Sequence, residues 1–209
     1  MEMGHRASRS ITLSHPGVYS CRAGVHHFSV RVEIELELYT MGSAKAHKEL
    51  LHTAHHEAGH AVAAIVENCP LRSVTIVPDD ETLGCCITPY PRNFQPESDM
   101  SLRTARRLEA GIIACFAGHI AEKQVSGRNN WVHSSVDRKI ATDLASYLTG
   151  SNAELEAYLK WLWVRTEGLV NLYQPQIAAL ASALLEEKTI QAKHAREIFR
   201  EAMLKRQAK

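Results

Sequence analysis

The chain has 209 residues, 45% hydrophobic and 22% charged, with a formal net charge of +1. A near-neutral chain offers no electrostatic handle for nucleic acid or an anionic membrane surface. No run approaches the roughly 18 consecutive apolar residues of a membrane span, and no apolar secretory stretch opens the chain. The five cysteines (Cys21, Cys69, Cys85, Cys86 and Cys115) are odd in number and irregularly spaced, without a CxxC pair. That pattern argues against a disulfide framework or a structural zinc knuckle and predicts reduced thiols in a cytoplasmic protein. The length suits one domain with an extra segment and is enough to bury a core.

Residues 1–42 read as an N-terminal extension. The alternating run from Phe28 to Leu38 predicts a strand, one arm of a β-hairpin. Met41 is a candidate start, which would make the preceding residues a non-native upstream segment. Residues 43–209 read as the main domain. Ser43 is the expected N-cap of a helix running to about Asn68, which Pro70 ends. Val74–Val77 and Leu83–Thr88 predict two short strands around an Asp79-Asp80-Glu81 turn, a small antiparallel hairpin. Helices follow from about Ser98 to Val125 and from Ser135 to Leu148, the second stopped by Gly150. Beyond Ser151 the pattern is helical almost to the end, with Pro175 opening one segment and Ala192 to Leu204 forming the last. Trp161, Trp163 and Tyr173 are expected to pack in a core or interface. The predicted class is mainly α (α+β), a helical domain with a small hairpin after its first long helix.

On that helix stands His56-Glu57-Ala58-Gly59-His60, an HExxH run. Positions four apart share one helix face, so both imidazoles can turn a nitrogen toward one Zn²⁺. Glu57, beside the first imidazole, can take a proton from an attacking water molecule as general base. The sequence turns apolar directly after the motif, from Ala61 to Val66, so the helix enters a core and is not a solvated histidine-rich tail. A catalytic zinc needs a third protein ligand. Downstream candidates are His119, Glu122, His133, Asp137 and Asp143. Pattern alone ranks Asp137 and Glu122 alike, ahead of His133: Glu122 follows an apolar stretch and needs a partner if buried, while Asp137 near a helix start also suits capping.

From about His52 to Phe199 the chain resembles the peptidase domain of the FtsH family, the M41 zinc metallopeptidases. His55–Ala61 is similar to that family's HEAGHA helix, and Val74–Pro78 with Leu83-Gly84 to its VTIxP…LG hairpin. Ala117–Glu122 resembles its GGRxAEE segment, Asp137–Ala145 its SND…ATxxA block, and Leu184–Ile190 its closing LLxxETL. Ala117 and His119 depart from the GGRxAEE pattern, and Val136 from the SND pattern. The resemblance implies that His56, His60 and Asp137 hold zinc, that Glu57 is the base, and that Glu122 sits behind the first histidine. It implies a polypeptide substrate, a homo-oligomer (a hexamer in the family) and an ATPase motor. The 209 residues contain no GxxxxGK[ST] phosphate loop, so a motor would come from another polypeptide. The strand holding Leu83, Gly84, Cys85 and Cys86 is the expected substrate-pairing edge. The expected activity is zinc-dependent endopeptidase action on unfolded or flexible chains. Rival readings are a catalytically silent scaffold of the same fold and a zinc hydrolase acting on a non-peptide amide.

Overall fold

The computed structural model describes residues 25–78, 85–87, 96–99, 101–127 and 135–207, with backbone alone for 25–43 and 85–87. Contacts divide the chain into two units, Met1–Ser43 and Ala44–Lys209. Helix α1 (Val25–Val66) supplies the described backbone of the first unit and opens the second.

This α1 overturns two expectations. The run Phe28–Leu38 is helix and not a hairpin strand, and Ser43 lies inside α1 instead of capping it. Every second residue of that run is apolar, so Val30, Ile34 and Leu38 are also spaced at i, i+4 and i+8, a helical stripe. The interspersed glutamates are good helix formers. Gly42 costs a helix only about 1 kcal/mol, and no proline stands nearby to stop it. The far end of α1 is a Schellman closure. Asn68 takes the left-handed conformation at φ 59°, and the Cys69 N–H reaches back to the Ala64 carbonyl at 2.8 Å. The turn is therefore complete before Pro70 is reached.

In the second unit the described elements are β1 (Ser73–Thr75), β2 (Cys85–Ile87), α2 (Leu102–Ser126), α3 (Ser135–Ser146), α4 (Asn152–Leu172), α5 (Gln174–Glu187), β3 (Thr189–Gln191) and α6 (Ala192–Gln207). The mainly α class stands. The expected antiparallel pair is present, with Val74 opposite Cys86. A third strand joins it: β3 pairs antiparallel with β1, Val74 opposite Ile190, giving the order β2-β1-β3. The turn at 79–81, Leu83, Gly84 and His133 lie outside the described residues.

Local chemistry sets the helix ends. Ser101 caps α2 by accepting the Thr104 N–H at 3.3 Å, and Ser151 caps α4 by accepting the Glu154 N–H at 3.2 Å. Gly127, at φ 65°, closes α2 by donating to the Lys123 carbonyl. Pro175 sits in the first turn of α5, where its missing N–H is not needed. Lys188 turns left-handed at φ 65° and presents its carbonyl to the Ile76 N–H at 2.9 Å, joining the end of α5 to the sheet.

One core gathers Ala54, Ala58, Ala61 and Val62 of α1 with Ile112, Ile113, Phe116, Ala117 and Ala121 of α2. Val74 and Ile190 of the sheet and Leu162, Leu180 and Leu184 of the later helices complete it. Phe116 meets Trp163 edge to face at 5.2 Å, and Tyr173 lies 5.6 Å from Phe199, as packing residues should. Trp161 lies outside the core: it is exposed, stacked on Tyr158 with Arg165 over its ring. No helix among the described residues is long and apolar enough to cross a membrane.

Small residues let α1 and α2 approach closely. A Cβ on Gly59 would stand 2.5 Å from the Ala117 carbonyl oxygen and 2.8 Å from the Ala121 Cβ. Backbone cannot rotate aside as a flexible side chain would. Overpacking of this kind costs roughly 1–3 kcal/mol, against a helix-propensity gain of about 1 kcal/mol. With backbone as the obstacle the net loss is taken as about 1–2 kcal/mol, so Gly59→Ala is expected to lower the thermal midpoint by roughly 2–8 °C. A midpoint equal to or above that of the wild type in a melting experiment would contradict this packing.

Candidate metal centre

Three elements bring the site together. His56 and His60 project one turn apart from the buried half of α1, and Asp137 comes from the first turn of α3. Both histidines are nearly enclosed, at 8% and 9% exposure, while the Asp137 side chain retains 20%. His56 Nε2 lies 2.9 Å from His60 Nε2 and 3.2 Å from Asp137 Oδ2. The His60 Nε2–Asp137 Oδ2 distance is 3.4 Å. Among the described residues, these three alone form a cluster able to offer three converging metal-ligand atoms.

The outer faces of the two imidazoles are already engaged, both by α2. His60 Nδ1–H donates to the Ala114 carbonyl at 2.7 Å, and His56 Nδ1–H donates to Glu122 Oε2 at 3.0 Å. A carbonyl can only accept, and an ionised carboxylate only accepts, so the acceptors assign the protons to Nδ1. In the neutral rings each Nε2 then carries a lone pair. Two lone pairs 2.9 Å apart, with a carboxylate beside both, repel unless a proton or a metal ion lies between them. Ligands about 2.0–2.1 Å from a tetrahedral zinc stand roughly 3.3 Å from one another, close to the separations found here. Two imidazole nitrogens and one carboxylate oxygen are a donor set that suits zinc, with an imidazole N–H held from behind as such ligands are.

The electrostatics carry the same imbalance. Burial disfavours charge on His56, but Asp137 and Glu122 outweigh it and raise its pKa to about 10. His60 is raised too: burial works against it and Asp137 overcomes that. Asp137 is pushed up by burial, yet the two imidazoles hold it below the usual carboxylate range. Without metal the cluster therefore gathers protons, which a divalent cation would replace. Glu57, buried beside His56, has its pKa raised by burial, with His60 and His56 pulling the other way.

The other candidates do not converge. Glu122 is buried at 2% exposure, but behind His56, on Nδ1 and not on Nε2. The geometry thus separates two carboxylates that pattern ranks alike. Asp143 pairs with Lys139 at 2.9 Å on the surface of α3. His119 is buried in α2 with its ring 5.6 Å from Trp163. The Ala114 carbonyl is a functional group that residue types do not single out. One signal does point to it: residues 114, 118 and 122 are spaced by four, so the face of α2 that carries Glu122 also carries Ala114.

Comparison with known proteins gives the family. The profile of peptidase family M41 matches residues 43–150. An ATP-dependent zinc metalloprotease FTSH 11, chloroplastic/mitochondrial, of Arabidopsis thaliana is 28% identical over 196 residues, covering 81% of this chain and 23% of the relative. FTSH 9 of Oryza sativa subsp. japonica is 29% identical over 172 residues, covering 69% and 21%. The FtsH metalloprotease of Haemophilus influenzae is 32% identical over 123 residues, covering 57% and 18%. The chain thus spans about a fifth of the length of these relatives. The matched region begins ahead of the paired histidines, runs past Asp137 and takes in just over half of the sequence: the chain belongs to peptidase family M41.

Proposed function

We propose that residues 44–209 form a zinc-dependent endopeptidase unit acting on unfolded or flexible polypeptides. The observation that carries this reading is the convergence of His56 Nε2, His60 Nε2 and Asp137 Oδ2, with both Nδ1 atoms occupied from behind. In this reading those three residues hold the metal. Zinc, when bound there, supplies Lewis acidity that brings the ionisation of water toward neutral pH.

The chain's own residues do the rest. Glu57, buried next to His56, takes the proton from the attacking water and returns it to the departing amine. Glu122 and the Ala114 carbonyl keep both rings in the tautomer that leaves Nε2 available. Strand β2 stands at one end of the three-stranded order, where an edge strand can pair with an extended substrate backbone. Cys85 and Cys86 belong to this strand, and Leu83 and Gly84 precede it in sequence. The ATP dependence in the relatives' names belongs to much longer chains, of which this sequence spans about a fifth.

Four experiments test this. Metal analysis of the purified chain is expected to give about one zinc per molecule. Asp137→Ala should weaken zinc binding by more than the roughly 10–100-fold typical of losing an outer partner, and equally tight zinc in both proteins would remove Asp137 from the site. Glu57→Gln should keep zinc while casein cleavage falls by about 10²–10⁴-fold. Zinc without Glu57-dependent proteolysis would favour the silent scaffold or the non-peptide hydrolase. Cys86→Pro, with helical content intact by circular dichroism, should slow cleavage of an unstructured peptide, and an unchanged rate would remove the strand-pairing step.

A further inference from the structure

The face of α2 behind the histidines does more than supply Glu122. Ala114, Gly118 and Glu122 lie one turn apart on it. His60 lies directly over the middle position. A Cβ on Gly118 would come within 2.5 Å of His60 Cε1 and 2.8 Å of Cδ2, and closer still to Nε2. Any side chain at 118 would therefore press first on the Nε2 end of the ring, the end that faces His56 and Asp137, while Nδ1 is anchored to the Ala114 carbonyl at 2.7 Å. The ring itself cannot yield easily, because it is enclosed and tied at Nδ1.

We propose that Gly118 is a positioning residue for His60. Its missing side chain leaves room for the Nε2 end of the imidazole against the wall of α2 while Nδ1–H holds the Ala114 carbonyl, and so presents Nε2 beside His56 Nε2 and Asp137. His56 is held by a side chain, Glu122, whereas His60 is held by backbone and by absence. Glycine is required at 118 for the space it leaves; its helical setting calls for no unusual backbone angle. The inference rests on the reading of His60 as a metal ligand, but the packing of His60 against Gly118 can be tested separately, on chain stripped of metal by a chelator.

The test is a double-mutant cycle on the metal-free full chain, followed by thermal melting. Gly118→Ala is expected to lower the midpoint by several degrees in the wild-type background and to have little effect, or a slight gain, in a His60→Ala background, where the ring is gone. A Gly118→Ala variant that folds only when His60 is also removed supports the proposal equally. An equal drop in both backgrounds, or failure to fold in both, would overturn the proposal. Zinc titration supplies the second readout: Gly118→Ala should bind zinc about 10–100-fold more weakly than wild type. Wild-type zinc affinity in a folded Gly118→Ala would overturn it while leaving the peptidase reading in place. A wild-type chain that binds no zinc would sink the peptidase reading, and the melting cycle would still decide the cradle.

Discussion

Two imidazole nitrogens facing each other at 2.9 Å, with a carboxylate oxygen within 3.4 Å of both, set the terms for the rest of this fold. Such a cluster is unfavourable by itself. Burial raises the cost of charge, and mutual repulsion of the Nε2 lone pairs opposes the neutral state. It persists because each donor is fixed by an element that cannot move independently. α1 carries both histidines on one face, α2 grips their outer nitrogens, and α3 brings Asp137 in by its first turn. A place for positive charge, a shared proton or a divalent ion, is thus built into the packing of three helices.

The close approach of α1 and α2 follows from that arrangement. His60 can reach a backbone carbonyl on α2 only if the helices nearly touch, and Gly59 on one side and Gly118 on the other remove the Cβ atoms that would hold them apart. The alanines around them, Ala58, Ala61, Ala117 and Ala121, extend the same thin seam through the core. Larger residues would bury more apolar area per position, yet they would withdraw α2 from the imidazoles. Stability in this seam comes from close contact between backbones, and the bulky side chains are placed elsewhere: Ile112, Ile113, Leu162, Leu180 and Leu184.

Much of this is legible in the sequence, for physical reasons that can be named. The HExxH spacing encodes a shared helix face, and the apolar run after it encodes burial, so His56, Glu57 and His60 stand out. Pro175 and Gly127 mark helix ends through their own backbone chemistry. Asp137 and Glu122 are indistinguishable by pattern, because local sequence shows that a carboxylate is buried but not which side of a ring it meets. Only the resemblance to a known family separates them, in favour of the residue the geometry places on Nε2. The long-range contacts are hidden for a related reason. The hydrogen bond from His60 to the Ala114 carbonyl spans 54 positions, and backbone groups leave no mark in residue identity. Strand β3 escapes a sequence reading because three residues between two helices are too few to show a period of two. The run Phe28–Leu38 misleads because alternation at every second residue also satisfies a spacing of four.

X-ray absorption at the zinc edge, on the purified full chain, tests the central claim most directly. The expected spectrum has nitrogen and oxygen neighbours only, at about 2.0–2.1 Å, with outer scattering from two imidazoles. Sulfur neighbours at about 2.3 Å, or a spectrum unaltered when His60 is replaced, would mean that the ion sits elsewhere and that the paired histidines serve another purpose.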